Sequence, residues 1–229
     1  MEEKSSKLSI AAKIITVAFA LALVSFVVFF SIHLYRSTIY DMFDEVYITE
    51  SFKEAYSQNS DVRTHDVGTE GLSENGVIKI TELVYIENLD ENGASTGHAY
   101  MQFGVRINML HIEEVKEVCP NVTYDDISFV LVSSNNNETK RIELNLIDQG
   151  EKHQYKFYKF EQNDVFIDCD SLNIEMEIDG ISVAYDENNN KVLKETEGEV
   201  HIADSTEIHN KDRASIEYKL SRKEKKQLK

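Results

Sequence analysis

The sequence predicts a mainly β protein with an N-terminal apolar helix, a short second helix and one antiparallel β-sandwich. Three observations support this fold class. Residues 14–35 form one long apolar run, apolar and polar residues alternate beyond Val77, and breaks rich in Asn, Asp and Gly separate the alternating runs. The chain beyond the apolar run is long enough for one domain with its own core.

Residues 14–35 predict a transmembrane helix. These 22 residues carry no formal charge, and at 1.5 Å per residue the helix would be about 33 Å long, enough to cross the hydrocarbon core of a bilayer. A cleaved secretion signal has an apolar centre of roughly 7–15 residues followed by small residues. This run is longer and its distal end, FFSIHLY, is bulky, so we expect an uncleaved signal anchor in the lipid bilayer.

The charges on either side of this run predict its orientation. Lys4, Lys7 and Lys13 precede it, whereas the far side begins with one Arg and then Asp41, Asp44 and further acids. Basic flanks stay on the cytoplasmic side. We therefore expect residues 1–13 to be cytoplasmic and the rest of the chain to be extracytoplasmic, at the cell membrane.

The next two segments are predicted to lead into the sandwich. Residues 36–57 place aromatic side chains at nearly helical spacing with acids between them, which predicts a juxtamembrane helix. Residues 58–76 are polar and include Gly68, Gly71 and Gly76, which favours a linker.

Residues 77–220 carry the predicted β-sandwich. Alternation is clearest in residues 100–109 (YMQFGVRINM) and recurs at 142–146 and 172–178. Shorter apolar runs complete the set: 77–86, 127–132, 155–160, 181–185, 192–194, 199–203 and 215–220. The breaks DENGASTG, SSNNNET, DQGEK, DENNN and ETEG predict turns, and residues 110–118 (LHIEEVKEV) predict a helix.

The formal net charge is −17, and it is unevenly distributed. Residues 36–218 contain 15 basic and 38 acidic residues, whereas the tail at 221–229 is basic. An acidic body repels phosphate backbones, so we expect no nucleic-acid partner. For the tail we expect a disordered end. Contact with the acidic body and contact with anionic lipid are the alternatives.

The catalytic and metal-binding patterns in this chain are weak. Gly93-Ala94-Ser95-Thr96-Gly97 matches the G-x-S-x-G nucleophile elbow, but a strand is expected after it instead of the required helix. The histidines are scattered without metal-ligand spacing. Acidic clusters on predicted loops could hold calcium, but none fits an EF-hand loop: Asp90-Glu91-Asn92, Asp125-Asp126, Asp168-Cys169-Asp170 and Asp186-Glu187-Asn188. We therefore assign no catalytic, cofactor-binding or metal residue and expect no cofactor.

The two cysteines, Cys119 and Cys169, are both expected on the extracytoplasmic side. A disulfide between them would close a loop of about 50 residues and stabilise the fold by roughly 4 kcal/mol in the chain-entropy model. Two separate buried thiols are the alternative. The sequence leaves both open, because it does not give the distance between the two Cα atoms.

This layout of signal anchor, short neck and acidic sandwich resembles the immunoglobulin-like extracytoplasmic domains of membrane-anchored proteins from Gram-positive bacteria. The chain has no Trp to pack on an immunoglobulin disulfide and no lipobox cysteine before Arg36. The topology and the lack of a recognised site favour a non-enzymatic module that binds a protein or an envelope component, or has a structural role. The alternatives are a metal-dependent extracytoplasmic enzyme and a sensor or accessory subunit of a membrane complex.

Overall fold

The computed structural model describes residues 2–40, 45–65, 73, 76–80, 83–135 and 138–229. The chain divides into two compact units, Met1–Asp44 and Glu45–Lys229. The first contains helix α1 (Glu2–Tyr40), in which Ala12–Ile32 is apolar and none of it is buried. This helix is long and apolar enough to cross a membrane, as a signal sequence near an N-terminus also would be.

The second unit is mainly β. Its helices are α2 (Glu50–Gln58), α3 (Met109–Val118) and α4 (Arg222–Gln227). Its strands are β1 (Val62–His65), β2 (Ile78–Ile80), β3 (Leu83–Leu89), β4 (Ser95–Asn108), β5 (Ile127–Asn135), β6 (Glu138–Glu143), β7 (Asn145–Lys152), β8 (Tyr155–Phe166), β9 (Ser171–Tyr185), β10 (Lys191–Asn210) and β11 (Ile216–Glu217). The helix expected at residues 110–118 is confirmed as α3, which starts where the Asn108 side chain accepts a hydrogen bond from the Leu110 amide at 3.2 Å.

The described strands form two antiparallel sheets. The first has the order β11-β1-β3-β4-β8-β7, with β2 also paired to β4, and the second has the order β10-β9-β5-β6. The main core contains side chains from both sheets, among them Met101 and Phe103 of β4 and Leu131 and Ile174 of the second sheet. The alternation predicted for residues 100–109 arises because every second side chain of β4 enters this core.

The alternating run at residues 142–146 is divided between two strands. β6 ends at Glu143 and belongs to the second sheet, whereas β7 begins at Asn145 and belongs to the first. Between them Leu144 is 9% exposed and packs in the main core. Alternation alone does not distinguish one strand from a chain that changes sheets at a buried residue.

Two predicted turns are strand residues in the structure. DQGEK lies inside β7, and the turn follows at His153, whose φ of 56° is left-handed. ETEG lies inside β10, where the register with β9 shifts between Glu195 and Val200. This bulge places Gly198 at φ 78°, so the glycine serves a bulge in a continuous strand.

The described residues of the expected neck and linker belong to the second unit from Glu45 onward, whereas residues 36–40 belong to the first. α1 ends at Tyr40 and α2 begins at Glu50, so one helix over 36–57 is replaced by two. Thr49 starts α2 by accepting a hydrogen bond from the Phe52 amide at 3.1 Å. Within the expected linker, the four residues of β1 pair with β3, and two of them, Arg63 and Thr64, also pair with β11.

These segments form a second apolar cluster with the first sheet. Its buried members are Val46, Phe52, Val62, Val84, Ile86, Tyr100 and Leu220. The tail expected to be disordered also contributes, because Leu228 packs against this cluster. This cluster could not be predicted from the sequence, because β1 (VRTH) and the tail have few apolar side chains of their own.

Candidate functional site

The start of the β unit, residues 45–49, is held by polar side chains of the first sheet. Gln102 of β4 accepts a hydrogen bond from the Tyr47 amide at 2.9 Å and donates one to the Tyr47 carbonyl at 2.6 Å. Gln102 is 1% exposed and lies on the face of β4 opposite Met101 and Phe103. Its side-chain amide thereby pairs with Tyr47 as a neighbouring strand would.

Glu161 of β8 lies beside this contact. Its carboxylate accepts hydrogen bonds from the Thr49 hydroxyl at 2.6 Å, the Tyr100 hydroxyl at 2.7 Å and the Asn145 amide at 3.3 Å. Because Glu161 is 7% exposed, these bonds satisfy a carboxylate that has largely lost contact with water. They also fix Thr49, the N-cap of α2.

Two tyrosines in this region are kept as neutral hydrogen-bond donors. Burial raises the pKa of Tyr100, and the hydrogen bond to Glu161 also raises it. Burial, followed by the hydrogen bond to Asp148 at 2.9 Å, raises the pKa of Tyr47 to about 12. Both phenols therefore stay protonated at physiological pH.

Helix α4 holds the same segment through Glu224. This side chain is 2% exposed and accepts hydrogen bonds from the Val46 amide at 2.9 Å, the Tyr218 hydroxyl at 3.2 Å and the Ser221 amide. The bond to Ser221 belongs to a capping box, in which Ser221 in turn accepts from the Glu224 amide. We call Tyr100, Gln102, Glu161 and Glu224 together the polar clamp.

An open cleft lies beside the polar clamp. Its volume is about 550 Å³, and its lining residues are Glu45, Val46, Tyr47, Ile48, Thr49, Lys53, Lys223 and Gln227. The Lys223 ammonium lies 2.7 Å from the Glu45 carboxylate at the rim. The polar groups of the clamp bind main-chain amides and hydroxyls, so the chemistry of this arrangement is the positioning of residues 45–49.

The structure places the two cysteines in different parts of the core. Both are buried free thiols, Cys119 in a cluster with α3 and Cys169 in the main core. Burial raises the pKa of both thiols. The disulfide stays a prediction.

The acidic clusters considered for calcium make local contacts. Asp90 accepts hydrogen bonds from the Asn92 and Ala94 amides at 2.8 Å each, and Asp186 accepts from the Asn188 and Asn190 amides at 2.8 Å each. These bonds lower the pKa of Asp90, as the bonds from Asn190 do for Asp186.

The other two acidic clusters also have partners. Asp126 forms a capping box with Thr123, and Asp170 lies 2.7 Å from Lys211. Across the described residues, no three His, Cys, Asp or Glu side chains are grouped as metal ligands.

Ser95 of the G-x-S-x-G pattern begins strand β4 after the β3–β4 turn, and its hydroxyl contacts Glu87. Among the histidines, the structure brings together His65 and His209, whose ring centroids are 4.7 Å apart and which are 0% and 5% exposed. The sequence does not indicate this pairing, because it depends on how β1 and β10 fold.

The sequence contained partial signals for the polar clamp. Ser221-Arg222-Lys223-Glu224 has the spacing of a capping box, and Tyr100 and Gln102 are the polar side of the best alternating strand. Nothing in the sequence paired them with residues 45–49, which lie more than fifty positions away from Gln102 along the chain.

No protein-family model, no curated protein sequence and no solved structure matches this chain. The resemblance to immunoglobulin-like domains therefore stays an expectation.

Proposed function

We propose that this protein is a single-pass, membrane-anchored extracytoplasmic module in which a β-sandwich binds another protein or an envelope component without enzymatic activity. One observation carries the proposal. A fully exposed apolar helix is followed, after residues 41–44, by a folded β unit whose first residues are held by the polar clamp.

The apolar helix supports anchoring over secretion. Its candidate span, Ala12–Ile32, covers 21 residues, more than the apolar centre of a typical cleaved signal. Three lysines precede it and an acidic chain follows it, which favours a cytoplasmic N-terminus and an extracytoplasmic β unit.

The polar clamp supports a short connection between the anchor and the β unit. A domain joined to its anchor by a long free linker can move widely. Here residues 45–49 are bonded to the sheet and to α4, and only four residues, 41–44, separate them from the end of α1 along the chain. The same feature favours an accessory or sensor subunit as the second candidate, because a force on the anchor would reach the sheet directly.

The second sheet offers a surface for a partner. Tyr185, Val200 and Ile202 are 67%, 51% and 47% exposed on β9 and β10, beside an open cleft of about 430 Å³. Exposed apolar side chains grouped on one surface are typical of interaction sites.

Membrane extraction and labelling test the anchoring. We expect the full chain to stay with membranes at alkaline pH, because moving the apolar helix from the bilayer into water has a large free-energy cost. A cysteine introduced at Gly76, in the Cys119→Ala, Cys169→Ala background, should react with an impermeant maleimide on intact cells. Release from membranes, or labelling only after lysis, would contradict the anchor or its orientation.

Site-specific photo-crosslinking tests the binding role. A photoreactive residue at Tyr185 should capture a reproducible partner from native membranes, whereas one at Glu91, in the exposed β3–β4 turn, is the matched control. Equal capture at both positions, or at neither, would contradict binding through β9 and β10.

A further inference from the structure

Helix α4 presents a uniformly basic surface. Arg222, Lys223, Lys225 and Lys226 are all exposed, and so is Lys229 just after the helix. Glu224, the acid within this segment, is 2% exposed and its carboxylate is turned toward the Val46 amide and the Tyr218 hydroxyl. The folding of the tail thus removes its negative charge from the surface and leaves the positive charges in water.

Part of this positive charge has no ion pair. Lys223 lies 2.7 Å from Glu45. Arg222, Lys225, Lys226 and Lys229 form no ion pair with any residue in the described ranges. Since residues 36–218 carry 38 acids against 15 bases, α4 is a basic patch on an otherwise acidic chain.

The fold fixes this patch to the start of the β unit. Glu224 binds the Val46 amide and Lys223 pairs with Glu45. Five peptide units join Tyr40, the end of α1, to Glu45, and a chain of that length spans at most about 18 Å. The basic patch is therefore bonded to the residues with which the β unit begins, five peptide units along the chain from the end of α1.

We propose that α4 binds the anionic phospholipid headgroups of the leaflet from which the β unit emerges, an inference that rests on the membrane anchoring proposed above. Basic side chains close to a bilayer are attracted by anionic lipid within about a Debye length of roughly 8–10 Å. The acidic remainder of the domain is repelled by the same surface. The two effects act together to turn the domain so that α4 faces the lipid.

Fluorescence quenching in lipid nanodiscs tests this contact with the full chain. The chain has no Trp, so Gln227→Trp, at an exposed position of α4, introduces a single reporter beside the basic residues. Nanodiscs of phosphatidylcholine, alone or with about 30 mol% phosphatidylglycerol, would carry a quencher on the headgroup. We expect quenching at least about twofold greater with phosphatidylglycerol, reversed in about 0.5 M NaCl because salt screens the attraction.

Charge-removing variants provide the control. Arg222→Gln, Lys225→Gln and Lys226→Gln together should reduce quenching to the level seen with phosphatidylcholine alone. The matched variant Lys140→Gln, Lys191→Gln and Lys194→Gln removes three exposed positive charges from the second sheet and should leave the quenching unchanged. Circular dichroism melting would show that both variants fold.

The outcomes separate the two proposals. A chain that enters both kinds of nanodisc but is quenched equally in them overturns the lipid contact and leaves the anchoring intact. Equal losses of quenching in the two triple variants would also overturn it, because net charge would then be the cause. A chain that enters neither kind of nanodisc overturns the anchoring and the lipid contact together.

Discussion

At the scale of single residues, Glu161 unites three parts of the β unit. Its carboxylate binds Thr49 before α2, Tyr100 on β4 and Asn145 on β7. A buried carboxylate with several donors is stabilising only while the donors remain in place, since each unsatisfied partner has a desolvation cost.

Replacing Glu161 by Gln should destabilise the β unit by about 2 kcal/mol, because the amide offers one acceptor oxygen and no charge to the donors that it retains. Urea unfolding of the full chain in detergent micelles, followed by circular dichroism, would measure this. Glu197→Gln, at an exposed position in the β10 bulge, is the control. A change of similar size in both variants would contradict a special role for Glu161.

The burial of His209 predicts a pH dependence of stability. Burial lowers the pKa of His209 in the folded protein, whereas the unfolded imidazole has a pKa of about 6.5. Below that value the unfolded chain binds more protons than the folded one. The stability present at neutral pH is therefore lost as pH falls from the unfolded pKa through the lower folded pKa, with a slope of at most about 1.4 kcal/mol per pH unit from this group.

Denaturant unfolding between about pH 7.5 and 5.5 checks this slope, since ordinary carboxylates titrate at lower pH. His209→Phe should make the dependence shallower. Burial, with Lys191 and His111, also lowers the pKa of His201, so part of the slope should remain. His153→Asn, at an exposed turn residue, serves as the comparison, and an unchanged slope in His209→Phe would refute the assignment.

At the scale of elements, α2 shows how a short amphipathic helix is fixed by its partners. Nine residues are too few for a stable isolated helix in water. Phe52 is fully buried, with its ring edge-on to Tyr100 at 5.7 Å and stacked on Tyr56 at 6.1 Å. Packing on the first sheet therefore supplies the stability that the segment lacks by itself.

Phe52→Ala should destabilise the β unit by about 3–5 kcal/mol, the usual cost of removing a buried aromatic ring. The exposed Glu54→Ala variant, in the same helix, should change stability little. Hydrogen exchange would locate the effect. If α2 alone lost protection from exchange and β1 and β3 kept theirs, α2 would be a separate neck helix and not a part of the second apolar cluster.

Elements with a strong periodic pattern could be predicted from the sequence, and those formed by distant partners could not. β4, β5, β9 and α3 follow from apolar spacing alone. β1 is polar in sequence and becomes a strand because β3 and β11 lie on either side of it. The polar clamp belongs to the second kind, because its hydrogen bonds connect the start of the β unit with β4, β8 and α4.

At the scale of the whole molecule, the cysteines report on the integrity of the main core, which contains Cys169, and of the cluster with α3, which contains Cys119. Since Cys119 and Cys169 are both 0% exposed and their pKa values are raised, we expect neither to react with an alkylating reagent in the native protein. Both should react after unfolding without a reductant, as counted by intact-mass spectrometry. Alkylation that required a reductant would instead establish the disulfide.

The hydrogen bond between Val46 and Glu224 joins residues 178 positions apart. Strand β1, near the start of the β unit, likewise pairs with β11, which is close to α4 in the sequence. On the proposed topology, the N-terminal part of the β unit reaches the outer side first. Val46 then lacks its partner Glu224, and β1 lacks its neighbour β11, until the last stretch has been exported. The domain is therefore completed only after translocation. Until then, the second apolar cluster of the newly exported chain is exposed to proteases and chaperones.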